Sequence, residues 1–319
     1  MKNSEQKLLL FLSVDVIGST AYKNKSSEIV QHWLETFLNF YKDFPVHLDK
    51  KFNKIKNQCE KKIKVVFEKN PVLWKSLGDE LIFKVALTDS EQLKYYIQAF
   101  QESVLEYHKI INKEPALGLK ATAWLAGFPV CNTELTFESD KKTKDYIGPS
   151  MDIGFRLGKF SSKRRFVISL DLAYMLSRYI GHPKIRYEGK RELKGVLDNK
   201  PYPVFWIDME PEGNLEDKLF PEIKFSERDD IKLFVEEFIR QTGKPLMLPF
   251  IDGDRTCNKK PEDYDKDLEA ILKLKEKIND EEPDTEGSPQ ISENDLKQDF
   301  GKLTSRENSR IDLGDLSEE

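Results

Sequence analysis

Asp15 and Asp79 are the residues of this chain best suited to metal-dependent chemistry. Each ends an apolar run at a turn: Leu8-Leu9-Leu10-Phe11-Leu12-Ser13-Val14-Asp15-Val16 leads into Ile17-Gly18-Ser19-Thr20, and Lys75-Ser76-Leu77-Gly78 leads into Asp79-Glu80. Carboxylates presented from two adjacent turns offer hard oxygen ligands, which suit Mg²⁺ or Mn²⁺ rather than zinc. A pair of such ions can activate an attacking oxygen and neutralise a leaving phosphate. The turn Gly18-Ser19-Thr20 would add backbone N–H groups at a helix entrance, where phosphates rest. On position alone, acids at strand ends and hairpin tips are ordinary solvated turn residues.

The chemistry therefore depends on elements that bring these acids together. Residues 8–16 read as a continuously apolar strand, buried on both faces. A helix follows: Ser26 and Ser27 are candidate N-caps, and Ile29, Trp33, Phe37 and Phe40 recur at helical spacing until Pro45 stops the pattern. Residues 46–70 are Lys-rich with scattered apolar positions compatible with a helix. Residues 71–85 have the form of a β-hairpin joined at Gly78-Asp79. Ser90 caps a helical pattern through Leu93, Tyr96, Phe100, Val104 and Ile110, residues 117–130 read as a strand, and residues 132–144 as a polar loop. A helix is expected from Met151 to about Phe160, a strand at 166–169, a helix at 170–180, and two strands around Leu193-Lys194-Gly195. The order β-α-β-β-α-β with a further αβ and hairpin is an α+β, ferredoxin-like plan. In that topology the first strand and the hairpin are neighbours, so carboxylates 64 positions apart meet.

Charge divides the chain. Of its 319 residues, with a net charge of −5, residues 255–319 carry 11 basic and 19 acidic side chains and only two of the 35 aromatics. Such a segment cannot bury enough apolar surface to offset its ordering entropy, so a largely disordered acidic tail is expected. The first 254 residues are near neutral at +3, which argues against a nucleic-acid binder working through a basic surface. Cys59, Cys131 and Cys257 are scattered, suggesting neither a disulfide framework nor a zinc site and fitting a reducing cytoplasm. No signal peptide or membrane span is expected. The reading is a domain at 1–210, a small extension at 211–254 and the tail at 255–319.

Three segments, taken in order, resemble the class III nucleotidyl cyclases. Phe11-Leu-Ser-Val-Asp15-Val-Ile-Gly18-Ser-Thr20 resembles their first metal-binding segment and Lys75-Ser-Leu-Gly78-Asp79 their second. Asp145-Tyr-Ile-Gly148-Pro-Ser-Met-Asp152-Ile-Gly-Phe-Arg156 resembles their third. The resemblance implies a palm-type catalytic domain in which Asp15 and Asp79 hold two Mn²⁺ or Mg²⁺ ions, with the Val16 carbonyl as an extra ligand. Arg156 would stabilise charge developing on the transferring phosphate. Gly18, Ser19, Thr20 and Lys194 would contact the phosphates. Two positions depart from the family. Asp152 stands where an Asn is usual and would contact ribose hydroxyls, and the family's triphosphate lysine is Val196 here, leaving Lys194 or Lys200 to substitute. The implied assembly is a head-to-tail homodimer with two equivalent sites. The implied reaction is attack of the ribose 3′-oxygen on the α-phosphorus, releasing pyrophosphate.

Lys75 and Asp145 match the positions that read the base. A donor beside an acceptor pairs adenine, cytosine or uracil with small shifts. The block Gly148–Arg156 and the extension, with an amphipathic helix at Asp230–Gln241 followed by Pro245-Leu-Met-Leu-Pro-Phe, resemble the stand-alone pyrimidine cyclases of the Pycsar anti-phage system. That implies UTP first and CTP next as substrate, and a separate effector protein switched on by the cyclic nucleotide. Competing readings are an adenylate cyclase, a diguanylate cyclase suggested by Leu77-Gly78-Asp79-Glu80-Leu81, and a degenerate nucleotide-binding module suggested by Asp152 and Val196.

Overall fold

The computed structural model describes residues 6–25, 30–62, 65–113, 117–137, 140–179, 184–210, 228–254 and 256–280. By its contacts the chain divides into Met1–Ile271 and Leu272–Glu319, and only the end of one helix of the second unit lies within the described residues. In the first unit, strand β1 (Lys7–Ile17) is followed by the short helix α1 (Ser19–Lys25) and the long helix α2 (Val30–Lys62). Next come β2 (Val72–Leu77), β3 (Glu80–Leu87), α3 (Gln92–Ile111) and β4 (Gly118–Phe128). These four strands lie in the order β2-β3-β1-β4, all antiparallel. That is the ferredoxin-like βαββαβ sheet expected, with β1 and β3 central.

The sheet continues beyond β4 through β7 (Arg165–Ile168), β9 (Tyr202–Asp208) and β8 (Ile185–Arg191), and only the β4/β7 pairing is parallel. A separate hairpin, β5 (Thr133–Phe137) with β6 (Asp140–Ile147), precedes helix α4 (Pro149–Leu157). Helix α5 (Leu170–Ser177) follows β7, and α6 (Arg228–Thr242) and α7 (Tyr264–Asp280) complete the described elements.

Three local expectations are corrected. Pro45 does not end the helix, for α2 runs through it to Lys62. An internal proline costs about 3 kcal/mol, but Leu48 and Phe52 beyond it are almost wholly buried and continue the stripe begun by Phe37, Phe40 and Phe44. At about 1.5–3 kcal/mol for each buried side chain, the stripe outweighs the proline. Ser90 does not cap α3: its hydroxyl pairs with Thr256, and the N-cap is Glu91. The segment expected as a loop at 132–144 is instead β5 and the first part of β6, polar strands that pair with each other and do not join the main sheet. A helix, α7, also stands at 264–280, within the acidic C-terminal segment. Ser26, Ser27 and residues 281–319 lie outside the described residues.

Helices α2 and α3 cover one face of the sheet. Phe44 contacts Phe83 of β3, Phe100 of α3 and Tyr107 with ring centroids 5.6–6.2 Å apart. The extension joins this core through Ile231, Val235 and Phe238 of α6. At the far side of the sheet Asp208 is fully buried, accepting hydrogen bonds from Arg164 Nε at 3.0 Å and Nη2 at 2.8 Å and from Arg186 Nε at 2.9 Å. Arg186 is itself buried, with its guanidinium 5.4 Å from the centre of the Trp206 ring. Burial works to raise the Asp208 carboxyl, but the Arg164 and Arg186 hydrogen bonds outweigh it and hold it below the ordinary range.

Removing one member of such a buried group strands the others. Asp208→Ala is expected to cost about 3–5 kcal/mol of folding stability, measured by urea denaturation. A loss below about 1 kcal/mol would show that the arginines find other partners.

Candidate active site

Strand β1 places its alternate residues on opposite faces of the sheet. Leu8, Leu10, Leu12, Val14 and Val16 join the main core under α2 and α3. Leu9 and Phe11 join a second cluster with Ile82, Trp124, Ala126, Phe128, Tyr146 and Met151. Continuing along that second face, the next alternate residues are Ser13 and Asp15. One sheet face thus grades from aromatic to acidic within a few residues of the same strand.

At the acidic end three side chains stand abreast. Asp15 is directly opposite Glu80 of β3 on one side and Lys120 of β4 on the other, so all three share this face. Lys120 Nζ lies 2.8 Å from Asp15 Oδ2, and both side chains are about a quarter exposed. Ser13 Oγ donates to Glu80 Oε1. Burial raises the Asp15 carboxyl and the negative charge of Asp79 raises it further, against the opposing pull of Lys120. Burial, Asp15 and Asp79 raise Glu80 in the same way. Asp79 sits in the β2–β3 turn after Gly78, whose φ of +62° favours glycine. Asp79 is thus the chain neighbour of Glu80, the residue that stands opposite Asp15.

At the entrance to α1, Gly18 adopts φ +81° and Ser19 opens the helix. Ser19 is buried and Thr20 exposed, so contacts from this turn fall to Thr20 and to backbone N–H groups. Val16 is buried.

Lys75 lies opposite Ile82, on the same face as the acids. Its Nζ is 2.8 Å from both carboxylate oxygens of Asp145 on β6 and 4.7 Å from the centre of the Trp74 ring. Trp74 Nε1 donates to the Lys144 carbonyl at 2.8 Å, tying β2 to β6 a second time. Burial works to raise Asp145, but the Lys75 hydrogen bond, the Tyr146 N–H and the Lys75 charge prevail and hold it low. The unanticipated hairpin is what delivers Asp145 to Lys75.

Helix α4 covers the aromatic end of the face. Gly154 packs against Trp124 so closely that an added Cβ would lie 2.2 Å from the indole, a gap no other residue permits. Gly148, at φ +139°, is hemmed in by Asn132, whose Oδ1 accepts from the Ser150 N–H at 3.0 Å and so caps the helix from another loop. Arg156, at the end of α4, donates to the Lys194 carbonyl, to the Asp152 carbonyl at 3.2 Å and to Asp152 Oδ1 at 3.3 Å. Asp152 is exposed and Arg156 partly so, and among the described residues no hydrogen bond or ion pair joins them to Asp15 or Asp79. The structure thus presents two separate groups, acids with Lys75–Asp145 and Asp152–Arg156 with Lys194.

Among the described residues no three acidic, histidine or cysteine side chains close around a common point. The donor set still fits a hard divalent ion. Asp15 stands beside Glu80 at the strand end, Asp79 is the next residue in the turn, and a cation, the Lys120 ammonium, already lies against Asp15. Asp15, Asp79 and the Val16 carbonyl would hold such an ion, with water and substrate phosphates completing its shell, as is usual for Mg²⁺. Sequence reasoning missed Lys120 and Glu80. The available signal was a lysine inside the otherwise uncharged strand Gly-Leu-Lys-Ala-Thr-Ala-Trp-Leu-Ala-Gly-Phe.

No protein-family model matches the chain and no curated protein does. Among solved structures, the adenylyl cyclase CyaB from P. aeruginosa is similar at 14% identity over 64% of this chain and 94% of that one, with a TM-score of 0.42. The guanylate cyclase domain of RhGC from Catenaria anguillulae, in complex with GTP, is similar at 11% identity over 64% and 98%, with a TM-score of 0.43. An adenylate/guanylate cyclase/hydrolase from Silicibacter pomeroyi is similar at 11% over 66% and 100%, with a TM-score of 0.42. At these values the likeness says nothing of substrate or mechanism. Among the described residues no helix is long and apolar enough to cross a membrane.

Because Asp145 is held below its ordinary value, its contribution to stability is present above the unfolded carboxyl value of about 3.9 and is lost as pH falls through the lower folded value. With both partners partly exposed, Asp145→Asn is expected to cost a few tenths to about 1 kcal/mol at pH 7. The difference from the wild type should shrink as pH falls below the unfolded value and vanish once the carboxyl is protonated in both states, followed by thermal denaturation across pH.

Proposed function

We propose that the chain is a nucleotidyl cyclase that converts a nucleoside triphosphate to its 3′,5′-cyclic nucleotide and pyrophosphate. The observation that carries this reading is Asp15 at the end of a palm-like sheet, opposite Glu80 and next to the Gly78-Asp79 turn, with the donor–acceptor pair Lys75–Asp145 on the same face. A base would enter by exchanging the Lys75–Asp145 hydrogen bonds for its own, donor to ring acceptor and acceptor to exocyclic or ring N–H. Divalent Mg²⁺ or Mn²⁺, when bound, would neutralise the triphosphate and favour the deprotonated 3′-hydroxyl. Arg156 would stabilise charge on the α-phosphate in the transition state, and Asp152 would contact the ribose. Lys194, with Thr20 and the backbone at Gly18 and Ser19, would hold the remaining phosphates. No protein nucleophile takes part. The 3′-oxygen forms the new bond to phosphorus as the bond to pyrophosphate breaks, and the hydroxyl proton leaves to solvent.

The separation of Arg156 from the acids supports a head-to-tail homodimer, in which each chain's Arg156 serves its partner's acids. Exposed Val72, Leu73 and Leu77 on edge strand β2, with exposed Ile147 and Phe155, provide the apolar patch such a contact needs. UTP is the substrate favoured, then CTP, following the resemblance to the Pycsar cyclases. The product would act on a separate effector in anti-phage defence, within the cytoplasm. ATP remains the alternative, since Lys75–Asp145 pairs adenine as well. One observation favours a nucleotide-binding module without turnover: Arg156 is already engaged by Asp152 in its own chain.

Incubation with ATP, GTP, CTP and UTP in parallel with Mn²⁺ is expected to yield cyclic UMP or cyclic CMP. No cyclic product from any of the four would leave only the binding module. Asp79→Ala should abolish turnover while the dimer persists in size-exclusion chromatography. Arg156→Ala should lower kcat by about 10²–10³ with a far smaller change in KM, as a transition-state contact requires. Equal losses in both would remove that role.

A further inference from the structure

We propose that Lys120 is a built-in cation that occupies the metal position beside Asp15 and must withdraw before a divalent ion is held there, so that it sets the metal concentration at which the site loads. This rests on the reading of Asp15 and Asp79 as the metal-binding acids. Three observations carry it. Lys120 is the sole charged residue of β4, flanked by buried Leu119 and Ala121, so register fixes where its stem emerges. Its partner across the strand pair is Asp15 itself, at 2.8 Å on Oδ2, and the Asp15 carboxylate also accepts from the Val16 backbone N–H. Asp15 is set directly opposite Glu80 on the neighbouring strand, with Asp79 next to Glu80 in the turn, and Lys120 is the ammonium on Asp15.

The consequence follows from distance. A divalent ion binds a carboxylate oxygen at about 2.0–2.6 Å, and an ammonium 2.8 Å from the same oxygen would then be in close like-charge contact with it. The two cations compete for one anion. The flexible four-carbon stem lets the ammonium leave, and Glu80, whose carboxyl already feels the Lys120 charge, stands one strand further on to receive it. Until a metal arrives, Lys120 keeps the clustered carboxylates from repelling one another. An arginine could not yield so easily, because its planar fork would bind the carboxylate at two points.

The test is Mn²⁺ binding to the full-length, nucleotide-free protein, read from the loss of the free-ion paramagnetic resonance signal. Lys120→Met should bind Mn²⁺ on the order of tenfold more tightly than the wild type, as removal of a like charge at a few ångströms requires. Lys120→Gln, the polar variant should Met perturb the fold, should tighten it similarly, whereas Lys120→Arg should match the wild type or bind more weakly. Asp15→Asn should abolish tight binding in the wild-type and Lys120→Met backgrounds alike. Wild-type binding that depends on Asp15 but is unchanged or weakened in folded Lys120→Met and Lys120→Gln would overturn the role of Lys120 and leave the metal site standing. Binding that ignores Asp15 in every background would overturn the metal site and this inference together.

Discussion

Strand β1 lies between β3 and β4 and has no free edge, so every side chain along it must be matched to one of two sheet faces. The face under α2 and α3 takes only aliphatic residues, Leu8 to Val16 in steps of two. The opposite face changes character along its length, from Leu9 and Phe11 among aromatics to Ser13 and Asp15 among charges. A register slip of one residue would put Asp15 into the aliphatic core and Val14 among the acids. The rest of the molecule follows from that arrangement: a helical layer is needed on one side, and on the other a cover that stops short of the acidic end.

That partial cover is α4 with the β5–β6 hairpin. Its reach is limited by close packing, since Gly154 rests against Trp124 and Phe11 stacks on Trp124 with centroids 5.3 Å apart. The aromatic cluster fixes the height of α4 above the sheet, and that height sets where Asp152 and Arg156 emerge. The same cluster, through Tyr146 and Trp74, fixes the hairpin that carries Asp145. Packing on the dry end of the face thereby positions the charged side chains Asp145, Asp152 and Arg156.

Electrostatics sets the other condition. Asp15 and Glu80 lie opposite each other near the sheet end, and burial first of all, with the charge of Asp79 adding to it, works to raise both carboxyls. Asp208 faces the same difficulty at the far side of the sheet and is given two arginines. Among the described residues the Asp15 carboxylate has a single ion-pair partner, Lys120, so its compensation is less complete than that of Asp208. A fully neutralised cluster would be a stability element, as Asp208 is.

The sequence by itself determined the elements whose cause is local. Alternation and apolar runs specified β1, β3 and β4, the Gly78-Asp79 turn specified the β2–β3 hairpin, and the β-α-β-β-α-β order was enough to bring Asp15 toward Asp79. It also supplied Lys75, Asp145 and Arg156 through their motifs, though not how they are engaged. What only the tertiary structure decided were the effects of distant burial and register. Helix α2 continues through Pro45 because residues far along the chain bury its stripe. Strand β6 pairs with β5 while Trp74 and Lys75 hold it from another strand. Lys120 and Glu80 join the acids because antiparallel register sets them opposite Asp15, and no spacing within one segment records which strands will lie side by side.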